Sequence, residues 1–143
     1  MIGIDTTFLV QLEIIELDLH QKAKSFLNNH LASHGRFALA PQVINEYLHI
    51  ITDHRRFERP LTMGSALKKA DTWWHAREVR PVFPNHSSSS VFSDWMTKYS
   101  LGQKRILDAF LAATYFSNNI REVITTNVRD YRVFTEMQTI ELI

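Results

Sequence analysis

Apolar positions along the chain fall into short unbroken runs separated by longer stretches with helical spacing. Residues 1–4, MIGI, form the first run and predict a buried strand. Thr6 or Thr7 then offers a helix cap, and FLVQLEIIEL carries apolar residues at helical intervals. DLHQKAKSFLNNHLASHG continues that pattern with Ala23, Phe26, Leu27 and Leu31, and Gly35 predicts its stop. FALA (37–40) is a second buried strand, and Pro41 suits the first turn of the next helix. That helix, PQVINEYLHIIT, puts Val43, Ile44, Tyr47, Leu48 and Ile51 on one face. LTMGSALKKADTWWHAREV predicts a helix starting at Thr62, and VRPVF is a short β-prone run. NHSSSS (85–90) reads as a loop feeding the helix VFSDWMTKYSLG. KRILDAFLAATYFSNN is the most strongly apolar helix, EVITTN a strand ending at Asn127, and QTIELI a last strand.

Strands therefore alternate with helices, which predicts an α/β fold: a parallel sheet covered on both faces, residues 1–143 forming one domain. In such sheets ligands bind beyond the carboxyl ends of the strands. Four acids fall there. Asp5 follows the first strand, and Asp130 follows ITTN. Glu46 lies in the second turn of the helix after FALA, and Asp108 lies near the start of the apolar helix.

Taken singly, each acid has an ordinary explanation. Asp5 suits a helix N-cap, Asp130 suits a turn, and Asp108 suits a pair with Lys104 or Arg105. Glu46 suits solvent, although its flanks Val43, Leu48, Ile50 and Ile51 are apolar. Taken together they need a counter-charge. Two carboxylates ~4 Å apart repel by roughly 4 kcal/mol at an effective dielectric near 20. A divalent cation cancels that repulsion, and magnesium or manganese prefers such an oxygen-only donor set. The chain has no cysteine, so thiolate sites and disulfides are excluded. Its net charge is +1, so nucleic acid must be held by a local basic patch or by metal.

IDTTFL, Glu46 in PQVINEYLHI, LGQKRILDAFLAAT around Asp108 and ITTNVRDY resemble, in order, the four acidic motifs of PIN domains. The resemblance is closest to VapC-type toxins of bacterial toxin–antitoxin pairs. It implies a three-layer α/β/α fold and a Mg2+- or Mn2+-dependent endoribonuclease leaving 5′-phosphates. It implies that Asp5, Glu46, Asp108 and Asp130 are metal ligands and catalytic residues. Thr6, Thr125 and Asn127 match the polar positions that orient such a pocket. Arg105, one turn before Asp108, either contacts the RNA backbone or pairs with the acids when metal is absent. The resemblance further implies a small antitoxin partner, an RNA substrate and a homodimer. Thr7 departs from the usual Asn or Ser, and Tyr131 from the usual Phe.

A phosphotransferase with an aspartyl nucleophile would need a second acid at position 7, where this chain has Thr7. The alternative to a nuclease is a non-catalytic scaffold of the same fold that binds RNA or protein. No apolar run approaches a membrane span and no leader pattern opens the chain, so a cytoplasmic protein is expected. His30 and His34 share helical spacing but lack a third ligand, so they are expected at the surface. RRFER (55–59), with Lys68 and Lys69, is locally basic. Of the adjacent pair Trp73 and Trp74, one is expected in the core.

Overall fold

A computed structural model describes residues 1–142 of the chain. Five parallel strands make one sheet in the order β3-β2-β1-β4-β5. They are β1 (Ile2–Ile4), β2 (Phe37–Leu39), β3 (Val79–Pro81), β4 (Glu122–Thr125) and β5 (Gln138–Glu141). The connecting helices are α1 (Thr6–Glu13), α2 (His20–Ala32), α3 (Pro41–Ile51), α4 (Met63–His75), α5 (His86–Lys98), α6 (Ile106–Ser117) and α7 (Val128–Tyr131). This is the expected α/β architecture. β1 to β3 are laid down in one direction, then the chain crosses back to β4. Helices α1 to α4 accordingly pack with one another, and α5 to α7 form a second packed set. Right-handed crossovers place the two sets on opposite faces.

The strands are short, and β1 and β2 carry no polar side chain because both faces are covered. Every residue of β1 and β2 is buried. Gly3 of β1 pairs with Ala38 on one side and Val123 on the other. A Cβ on Gly3 would lie 2.7 Å from the Tyr115 ring. That ring cannot swing away, since its hydroxyl donates to the Ile4 carbonyl at 2.6 Å. Glycine is thus required by close approach between strand and helix.

Three local expectations are corrected. The predicted first helix breaks between Glu13 and His20, with Ile14 extended. β-Branched Ile14 and Ile15 favour that escape. Gln11 then stabilises it, its side chain accepting from Leu19 N and its carbonyl bonding the His20 ring. The serines at 87–90 belong to α5 rather than to a loop, since Asn85 and Ser88 close a capping box. At the end of α2 the left-handed residue is His34, with φ 59°, not Gly35. Gly35 is needed instead for room, because the His30 ring lies 2.3 Å from where its Cβ would be.

His30 is therefore part of the packing, stacked on Phe26 and tilted over Phe37. Trp73 and Trp74 are both half-buried against the core, so neither alone fills it. QTIELI does form β5, although Ile143 lies outside the described residues.

Replacing Gly3 with alanine should destabilise the fold by about 1–3 kcal/mol through overpacking against Tyr115. Thermal unfolding should register this as a melting temperature roughly 3–8 °C lower. The equivalent change at exposed Gly64, whose Cβ meets nothing within 4 Å, should not lower it.

Candidate active site

The crossover back to β4 leaves a switch point between β1 and β4, where chain connections diverge to opposite faces. Asp5 and Thr125 sit there, at or just beyond the carboxyl ends of these two strands. The Asp5 amide extends the ladder by donating to the Ile124 carbonyl at 3.0 Å. Asp5 stands at the N-cap position of α1, yet its side chain makes no capping bond. The simple capping explanation is thereby removed.

The Asp5 side chain turns into the protein, where it is only 5% exposed. Three hydroxyls receive it. Thr7 Oγ1 donates to Oδ2 at 2.6 Å and Thr125 Oγ1 to the same oxygen at 2.7 Å. Tyr131 OH donates to Oδ1 at 2.9 Å. Burial, reinforced by the Asp5 and Asp108 carboxylates, raises the Tyr131 phenol well above its ordinary range, so it keeps its proton and donates.

Thr6 is buried and points the other way. Its hydroxyl donates to Glu46 Oε2 at 2.7 Å, bridging α1 to α3. Glu46 itself is exposed despite its apolar flanks. Those flanks divide: Val43, Tyr47 and Ile51 face the core, and Glu46 rises from the opposite edge of α3. Asp108 is partly buried, with its side chain 30% exposed. Neighbouring Leu107, one of the apolar positions of α6, is 77% exposed.

Arg105 reaches across the pocket. Its Nη1 lies 2.9 Å from Asp130 Oδ1, its Nη2 donates to the Asp130 carbonyl, and its Nε is 4.0 Å from Asp108 Oδ2. Buried Nε has no hydrogen-bond partner. Asn127 donates its side-chain amide to Asp130 Oδ2, and its backbone amide donates to Thr125 Oγ1 at 2.9 Å.

The charges of the other three acids, Asp5, Asp130 and Glu46, all act on Asp108. Burial, then Asp5 and Asp130, push its carboxyl up to about 6, with Arg105 opposing and Glu46 adding to the push. Among the described residues, no three such side chains already stand close enough to share an ion. Three of them are held by internal donors: hydroxyls on Asp5 and Glu46, Arg105 and Asn127 at Asp130. The donor set is oxygen only, negatively charged and short of cations, which is the chemistry a hard dication fits. The sequence motifs named all four acids, but the two residues marked as departures, Thr7 and Tyr131, prove to hold Asp5. Their hydroxyls were the available signal.

No protein-family model matches the sequence, and no curated protein matches it. Solved structures do. VapBC2 from Rickettsia felis, bound to a DNA fragment from its promoter, aligns with a TM-score of 0.72 at 13% identity, covering 99% of this chain and 98% of that one. VapBC-1 from nontypeable Haemophilus influenzae aligns at 0.70 and 16% identity, covering 99% and 98%. VapC20 of Mycobacterium tuberculosis, described as a sarcin-ricin loop cleaving toxin, aligns at 0.63 and 18%, covering 86% and 87%. The chain has the PIN-like fold of these toxins. At such identities the likeness is one of fold.

The raised Asp108 carboxyl gives a stability prediction. Well below pH 3.8 it is protonated in the folded and unfolded chain alike and costs nothing. As pH rises, the unfolded carboxyl ionises first, near its ordinary 3.8, and the folded one only near 6. The cost therefore appears between these values and is complete above them. Metal-free Asp108→Asn should melt higher than the parent at pH 7.5, by roughly 1 kcal/mol after solvent screening. The two should converge by about pH 3 by calorimetry.

Proposed function

We propose that this chain is a Mg2+- or Mn2+-dependent endoribonuclease, the toxin of a toxin–antitoxin pair. The observation that carries this reading is that the charges of three sequence-distant acids, Asp5, Asp130 and Glu46, converge on a partly buried fourth, Asp108. The shared fold with VapC20 and the Vap complexes supports it. Asp5, Glu46, Asp108 and Asp130 would hold the metal. A dication there supplies Lewis-acid stabilisation of charge on the reacting phosphate and favours ionisation of the attacking water. Hydrolysis joins the water oxygen to phosphorus and releases the 3′-oxygen, leaving a 5′-phosphate on the other fragment.

The chain's own side chains supply the rest. The hydroxyls of Thr7, Thr125 and Tyr131 hold the Asp5 side chain in place inside the fold, and Thr6 holds Glu46. Arg105 neutralises Asp108 and Asp130 until a dication arrives, and is then free for a backbone phosphate. A cleft of about 600 Å3 walled by Thr126, Asn127, Arg129, Asp130 and Arg132 extends the pocket for neighbouring nucleotides. An acidic pocket also suits an antitoxin that inserts an arginine. The similar structures include Vap complexes and a Klebsiella pneumoniae toxin–antitoxin complex, and by that analogy a small antitoxin is a proposed partner; a second copy of this chain is proposed alongside it. No helix among the described residues is long and apolar enough to cross a membrane, and a cytoplasmic site of action is proposed because RNA is there.

The ion pair between Arg105 and Asp130 favours one other reading, a scaffold whose acids are neutralised internally and which never takes metal. Manganese separates the two. At a hundredfold excess over its Kd it should stabilise a nuclease by about 2.7 kcal/mol and leave a scaffold unchanged.

RNA cleavage with magnesium should fall at least about 100-fold, some 2.7 kcal/mol, in Asp5→Asn and in Asp108→Asn. A chelator should abolish it. Asp71→Asn, altering an exposed acid paired with His75 on α4, should cleave normally. Equal cleavage by all three variants would refute the proposal.

A further inference from the structure

We propose that Tyr131 is a positioning residue that sets how tightly the Asp5 carboxylate takes a divalent cation. This rests on the nuclease reading. A carboxylate has about four acceptor positions, two on each oxygen. Thr7 and Thr125 fill both positions on Asp5 Oδ2, at 2.6 and 2.7 Å. Tyr131 fills one position on Oδ1, at 2.9 Å. The one acceptor position left on Asp5 therefore belongs to Oδ1, the oxygen that Tyr131 holds. A cation must bind Asp5 there, in a direction set by the phenol.

The phenol is itself immobile. Its residue is 1% exposed, and its ring meets Phe134 edge to face. Phe134 in turn stacks on buried Trp95 of α5, 4.9 Å between centroids. Arg105 grips the carbonyl of Asp130, the residue before Tyr131. One wall of the pocket thus fixes both the Asp130 backbone and the plane of Asp5. Phenylalanine would keep the ring and its packing but leave Oδ1 without a donor, so the carboxylate plane would be held from one oxygen only. Partners behind metal ligands typically change affinity 10–100-fold.

The test is calorimetric titration of MnCl2 into the full chain, with metal-free melting measured alongside. Tyr131→Phe should bind Mn2+ at least about tenfold more weakly than the parent while melting within a few degrees of it. Tyr99→Phe, which removes a phenol from Glu136 outside the pocket, should bind as the parent does. A merely structural hydroxyl would lower the melting temperature and leave the Kd alone, which would overturn the assignment. So would a Kd within twofold of the parent, an equal loss in Tyr99→Phe, or failure of Tyr131→Phe to fold. If the parent itself takes no Mn2+, the nuclease reading falls as well. A normal parent with an unaffected Tyr131→Phe removes only the role of Tyr131.

Discussion

A carboxylate buried at the end of the central strand is the constraint around which this fold is arranged. Removing such a group from water costs several kcal/mol unless hydrogen bonds replace the lost hydration. Here the replacements are three neutral hydroxyls, from α1, β4 and α7. Because none is a cation, they stabilise the charge without cancelling it. The field of Asp5 therefore reaches Asp108 undiminished by a local ion pair, and it is the largest of the charge effects there. The open twist of the sheet between β1 and β4 creates the space, and the hydroxyls make it habitable for a charge.

On the outer side of the pocket the problem is solved differently. Asp130 and Asp108 share one guanidinium, which lies closer to the first than to the second. The unpartnered Arg105 Nε shows that the match is imperfect. A buried donor without an acceptor costs about 1–3 kcal/mol, so the bridge is a compromise rather than a tightly optimised pair. Such a contact can be given up to a stronger counter-ion without unfolding what surrounds it.

Much of this was legible in the chain. The alternation of apolar runs and helical stretches located every strand, and the ends of those strands located the acids. What escaped was set by side chains acting over long sequence distances. Nothing local to Tyr131 says that its hydroxyl meets residue 5, and nothing in VINEY says that Thr6 will meet Glu46. Local chemistry also misled in places. The serine run looked like a loop because serine is a poor helix former in mid-helix, yet Asn85 made it a first turn. Ile14 and Ile15 looked like helix because their apolar spacing continued, yet the chain turned there.

The bonds to Asp5 from Thr125 and Tyr131 span 120 and 126 residues of chain. During synthesis Asp5 and Thr7 emerge first, and Thr125 and Tyr131 last. A nascent chain on the ribosome, or a prematurely terminated fragment lacking α7, carries the acid without the environment that keeps it poised. The surroundings of Asp5 are thus complete only once β4 and α7 have formed.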